Sequence, residues 1–94
     1  MLKIGQKVRV KSWERMEREY GLDEDGNIIT PATFTESMSK FCGKIYEISE
    51  VDPLGFVTYK LAGDVPEYYY WDDKMLEPLL GLRLLVEKRR MGNV

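Results

Sequence analysis

Polar and hydrophobic side chains alternate along residues 3–11, with Ile4, Val8 and Val10 on one parity and Lys7, Arg9 and Lys11 on the other. That period of two predicts a half-buried strand. A helical period follows. Ser12 is placed to cap a helix beginning at Trp13, and Trp13, Met16 and Tyr20 share one face before Gly21 stops it. On the polar side Glu14 and Arg18 are spaced for an i,i+4 pair worth about 0.2–0.5 kcal/mol. Thr33-Phe34-Thr35-Glu36 reads as the capping box of a second short helix, with Phe34, Met38 and Phe41 along one face and Gly43 beyond its end.

Residues 43–51 carry Ile45, Tyr46, Ile48 and Val51 in imperfect alternation, and Asp52-Pro53-Leu54-Gly55 then marks a turn. In residues 56–61 the pattern is cleaner. Val57, Tyr59 and Leu61 share a face, while Phe56, Thr58 and Lys60 take the wetter one, so the two runs predict a hairpin. The run Glu67-Tyr68-Tyr69-Tyr70-Trp71 predicts a third, aromatic strand, with Tyr69 and Trp71 on one side and Tyr68 and Tyr70 on the other. Asp72 is expected to cap a tight turn through Met75, after which Leu76, Glu77 and Pro78 lead outward.

For residues 79–86 two readings compete. Alternation of Leu80, Leu82, Leu84 and Val86 makes a strand that closes a small barrel; a helix is disfavoured because Gly81 costs it about 1 kcal/mol. In the strand reading Leu79 and Leu85 are exposed, and residues 79–86 offer a homodimer seam. Residues 22–32 form an acidic excursion expected to be solvated. Asp23, Glu24, Asp25 and Asn27 have the oxygen chemistry of calcium ligands, but Ile29 and Pro31 stand where later ligands are needed.

At 94 residues the chain predicts one domain over 1–94, with a core about 3–87 and a frayed basic tail over 88–94. Its 44% hydrophobic content excludes disorder as the default. With one cysteine and no histidine, neither an internal disulfide nor a zinc site is expected, and Cys42 has no imidazole to activate it. No cofactor is expected. No run reaches the roughly 18 apolar residues of a membrane span, so the cytoplasm is the expected location. The net charge of −2 conceals an asymmetry: residues 1–18 hold six basic and two acidic side chains, whereas residues 64–77 hold five acidic and one basic.

Taken together, Ile4-Gly5-Gln6-Lys7-Val8-Arg9-Val10, the stretch from Met38 through Cys42-Gly43-Lys44 to Ile48, Tyr59, and Trp71 to Asp73 with Met75, Glu77 and Pro78 resemble the small SH3-like barrel proteins encoded by bacteria and their phages. The resemblance implies a mainly β fold, a small SH3-like β-barrel with two short helices inserted after the first strand. If the chain is encoded by a phage or prophage, an inhibitor of a host defence protein or an accessory assembly protein is the expectation.

The residues themselves point to a non-enzymatic protein-binding module. Tyr68 and Tyr70 beside Asp64, Glu67, Asp72 and Asp73 combine large rigid contact area with negative charge, which suits a basic protein partner. Catalysis is not expected, because Asp72 and Asp73 face opposite ways in a strand and nothing else converges on them by spacing. The alternative is weak nucleic-acid binding, through the row Lys7, Arg9 and Lys11 with surface tyrosines for base stacking.

Overall fold

The computed structural model describes residues 2–53 and 57–79. In chain order these form β1 (Lys7–Val10), α1 (Trp13–Tyr20), a 3₁₀ helix (Glu36–Phe41), β2 (Ile45–Pro53), β3 (Val57–Ala62) and β4 (Leu76–Pro78). The strands make one antiparallel sheet in the order β3-β2-β1-β4. Among the described residues β3 and β4 are its two edges and do not pair with each other, so the expected SH3-like barrel is corrected to an open four-stranded sheet with two short helices. The reason lies in the aromatic run. Only Trp71 of residues 67–71 pairs with β3, through a single bridge to Tyr59, and one bridge cannot carry the sheet around. The phage association rested on the barrel resemblance and falls with it. The strand, helix and dimer-seam readings of residues 80–86 lie outside the described residues.

Alternation locates β1 well. Val8 and Val10 are fully buried, and Lys7 is exposed on the other face. Ile4 is not part of that pattern: the strand starts at Lys7, and Ile4 is 67% exposed. Gly43 N donates to Val10 O at 2.7 Å, tying the end of β1 to the segment that enters β2.

The imperfect alternation of β2 has a specific cause. Ile48 pairs with Leu61 and Glu50 with Lys60, so two steps along β2 match one step along β3 and a bulge falls at Ser49. The extra residue turns the strand's parity over. Tyr46 and Ile48 face the core before the bulge, and Val51 packs against the same core after it. Thr58, expected on the wet face, is instead buried, and its hydroxyl donates to Asp52 O at 2.8 Å.

α1 follows its sequence signals. Ser12 Oγ accepts from Arg15 N at 3.2 Å, and Gly21 takes φ +81°, a left-handed conformation that a side chain would strain, as its N–H donates to Glu17 O. Met16 is buried, with Trp13 and Tyr20 packed half-exposed against the core. The helical ion pair differs from the one expected between Glu14 and Arg18. Arg15 reaches Glu19 at 2.9 Å and Glu77 at 2.5 Å, which straps α1 to β4.

The second helix starts later than its capping-box reading places it. Thr33 sits at φ +59°, outside any helix, and Thr35 is the N-cap residue, its N–H donating to Met38 Sδ at 3.4 Å. Phe34, Met38 and Phe41 are nevertheless all buried. Residues 22–32 also correct the solvated-loop expectation: Ile28 is fully buried and bridges both Leu22 and Phe34. Asp23 Oδ1 accepts from the amides of Asp25 and Asn27, so that carboxylate organises the turn that sends Ile28 inward.

β4 arises where an outward lead was expected. Lys11 N donates to Met75 O and Leu79 N to Lys7 O, so Met75, Glu77 and Leu79 direct their backbone toward β1. Pro78 falls on the outward row, where its missing N–H costs no ladder bond. Leu79 is 4% exposed, so it is core rather than the free seam residue expected of it.

Candidate functional site

Between the end of β3 and β4 the chain places its four consecutive aromatics in distinct environments. Trp71 is completely buried between Phe34 and Phe41, with ring centroids 6.0 Å from each. Tyr69 is half-buried: its ring lies 5.9 Å from Phe41 and 6.1 Å from Trp71, and its hydroxyl donates to Ser37 Oγ at 3.0 Å. Tyr68 is 73% exposed and rests on Tyr69 with centroids 4.7 Å apart. Tyr70 is 42% exposed, with the Lys60 ammonium 3.9 Å from its ring centroid. The outcome is a pair of solvent-facing tyrosines backed by a third that is fixed to the core.

Lys60 organises this region, a role that sequence spacing did not reveal. Its ammonium donates to the carbonyl oxygens of Glu67 and Tyr69, the latter at 3.1 Å, while its head lies over Tyr70. Those contacts pin the tyrosine segment to β3 by a side chain rather than by a strand ladder. The ordering entropy of Tyr70 is thus largely spent in the free protein.

The acidic residues divide in two. Asp64, Glu67 and Asp73 are exposed, whereas Asp72 is 2% exposed and faces inward. Asp72 Oδ2 accepts from Ala32 N at 2.8 Å and Oδ1 accepts from Lys74 N at 2.9 Å, so this carboxylate joins the turn before β4 to the segment after Ile28. Asp73 Oδ1 accepts from the Tyr59 hydroxyl at 2.9 Å, and that hydroxyl accepts in turn from Leu2 N at 3.2 Å. Of the six acidic and aromatic residues singled out in the sequence, Tyr68, Tyr70, Asp64, Glu67 and Asp73 therefore reach solvent, and Asp72 does not.

Two core phenols titrate abnormally. Burial, followed by the nearby Asp64 carboxylate, pushes Tyr46 up; Tyr59 is pushed up by burial first and by Asp73 and Asp72 after it. Although Asp64 acts on Tyr46, the Tyr46 Oη makes no hydrogen bond within 3.5 Å among the described residues. A phenol with a raised folded pKa stabilises fully below the unfolded value of about 10, and that contribution is lost as pH rises through the folded value. Urea midpoints are therefore expected to start falling above about pH 8.5, where the likewise raised Cys42 thiol begins to titrate in the unfolded chain, and to fall more steeply above about pH 10 as the two phenols follow. Tyr46→Phe, which deletes an unbonded hydroxyl, should be near neutral at pH 7 and should flatten part of that fall. An equal alkaline loss in Tyr46→Phe and the wild type would remove Tyr46 from the account.

The basic row is partly engaged within the fold. Arg9 lies 4.0 Å from Glu77, and Lys11 Nζ donates to the Tyr20 hydroxyl at 3.0 Å, which leaves Lys7 as the most open of the three. Burial raises the Cys42 thiol above its ordinary value, which disfavours the thiolate. Among the described residues no cluster of three or more His, Cys, Asp or Glu side chains is arranged to hold a metal ion. Among them, too, no helix is long and apolar enough to cross a membrane. Comparison with protein-family models, with characterised proteins and with solved structures finds no match to this chain.

Proposed function

We propose that this domain is a non-enzymatic protein-binding module whose contact surface is centred on Tyr68 and Tyr70, with Asp64, Glu67 and Asp73 as its acidic surround. The observation that carries this reading is the exposure of Tyr68, at 73%, on a tyrosine that is itself anchored to the core. Two large aromatic rings held open to solvent forgo the burial that Trp71, in the same run, obtains. Rings that are both exposed and held in place give contact area at low entropic cost, the property that makes tyrosine a frequent anchor at interfaces. The exposed carboxylates select a partner surface of positive charge and favour its approach.

A selection from a randomised peptide library displayed on messenger RNA tests the proposal. The expected result is enrichment of peptides rich in lysine or arginine whose affinity drops about tenfold or more in the Tyr68→Ala/Tyr70→Ala double variant, the loss of one good interface anchor. Both side chains are solvent-facing, so the variant's melting temperature should stay close to that of the wild type. Enriched peptides that bind the folded double variant as tightly as the wild type would overturn the assignment.

A further inference from the structure

A groove of about 470 Å³ opens beside the tyrosines, between the outer face of the β2–β3 pair and the segment that follows β3. Its lining includes Glu50, Lys60, Ala62, Pro66 and Glu67. Glu50 and Lys60 stand opposite each other across the two strands, a position that ordinarily pairs carboxylate with ammonium. Here they do not pair. Lys60 turns away to the Glu67 and Tyr69 carbonyls and the Tyr70 ring, and among the described residues neither Glu50 nor Glu67 takes part in an ion pair.

We infer that this groove is a socket for a basic side chain of the protein partner, an inference that rests on the reading of the tyrosine surface above. Ala62, Val65 and Pro66 supply apolar wall for the methylene stem of a lysine or arginine, and the two carboxylates supply acceptors for its charged head. Among the described residues the charged groups lining the groove are Glu50, Glu67 and Lys60, and Asp64 adjoins them in the chain, so their balance is negative even with Lys60 present. The ammonium of Lys60 is already held by two carbonyl oxygens and an aromatic face at one end. Among the described residues that arrangement leaves the carboxylates of Glu50 and Glu67 without a cationic partner. The bulge at Ser49 is what makes the geometry available, because it returns Glu50 to the outer face opposite Lys60 while Val51 packs inward.

An acetylated and amidated Gly-Ser-Arg-Ser-Gly peptide, with its citrulline counterpart as the neutral control, tests the socket by titration of amide shifts in the whole chain. The expected result is saturable movement of the Glu50, Ala62 and Glu67 amides with the arginine peptide, about fivefold weaker binding in Glu50→Gln/Glu67→Gln, and little movement with citrulline. Equal responses to the two peptides, an unaffected double variant, or shifts confined to Lys7 and its neighbours would each overturn the assignment. Failure here is distinguishable from failure of the tyrosine surface. Library-selected peptides that depend on Tyr68 and Tyr70 but not on Glu50 and Glu67 would sink the socket alone, whereas arginine-peptide binding with no tyrosine-dependent ligand would sink the broader reading alone.

Discussion

Trp71→Ala should lower the unfolding free energy by about 3–5 kcal/mol, the range for truncating a large buried aromatic. Trp71 is the largest fully buried side chain described in the domain. It meets Phe34, Phe41 and Tyr69 edge-on, each such pair adding about 0.5–1.5 kcal/mol beyond area burial. It also forms the one bridge between the aromatic segment and the outer edge of β3, through Tyr59 N to Trp71 O at 2.7 Å. Small domains hold about 5–15 kcal/mol in total, so the variant should be partly unfolded at room temperature or melt well over about 10 °C lower. Trp71→Phe should cost clearly less. It keeps a ring in the site and deletes an indole N–H that has no partner among the described residues. Urea denaturation followed by circular dichroism separates the three proteins, and a Phe variant as unstable as the Ala variant would show that the ring contacts do not carry the energy.

Asp72→Ala is the second large effect. Removing this carboxylate takes the acceptor from the part-buried amides of Ala32 and Lys74; a fully buried orphaned donor costs about 1–3 kcal/mol, and these two lie toward the low end because solvent is close. The expected loss is about 2–4 kcal/mol in total, reduced by whatever water reaches the two amides. Asp72→Asn, which retains one acceptor, should fall between the alanine variant and the wild type. Hydrogen exchange gives the sharper test. Ala32 and Lys74 should lose protection together in Asp72→Ala, although they lie far apart in the chain. Accelerated exchange at Lys74 alone would mean that the link to Ala32 contributes little.

Local signals were legible where they were self-contained. Val8 and Val10 announce β1 by parity, Ser12 and Gly21 bracket α1, and Tyr59 with Leu61 marks the inner face of β3. The Thr-Phe-Thr-Glu stretch offers two frames for a helix start. The carboxylate of Glu36 favours Thr33, but the fold uses Thr35 because Phe34 must first pair with Ile28.

Other features depend on partners remote in sequence. The burial of Ile28 cannot be read from an acidic neighbourhood, since it follows from pairing with Leu22 and Phe34 and from the Asp23 carboxylate that bends the chain. The inward turn of Asp72 needs Ala32, and β4, only three residues long and ending in proline, carries too little pattern to be recognised. Whether a sheet closes is likewise a property of two edges, and neither edge alone encodes it.

In the candidate site, alternation separates Tyr68 and Tyr70 from Tyr69 and Trp71, but which pair faces outward is decided by the packing of Trp71 between Phe34 and Phe41. Nor could the role of Lys60 be read from the sequence, because two of its three contacts are with backbone carbonyls that any residue type would supply, and the third, the Tyr70 ring, lies ten residues away. Glu50 was hidden for a different reason: until the bulge at Ser49 is known, its facing and its cross-strand neighbour cannot be assigned.

The position of β1 in the interior of the sheet bears on how the protein is made. Its two neighbours are β2 and β4, and Arg15 of the following helix waits for Glu77. During synthesis β1 therefore leaves the ribosome before either of its sheet neighbours, and its second flank stays open until Leu76–Pro78 has been translated. Such distant contacts slow the search for the native state and expose apolar surface meanwhile. A nascent chain halted before residue 76 lacks a whole strand at the centre's far side, so it should be a better client for chaperones than the finished domain.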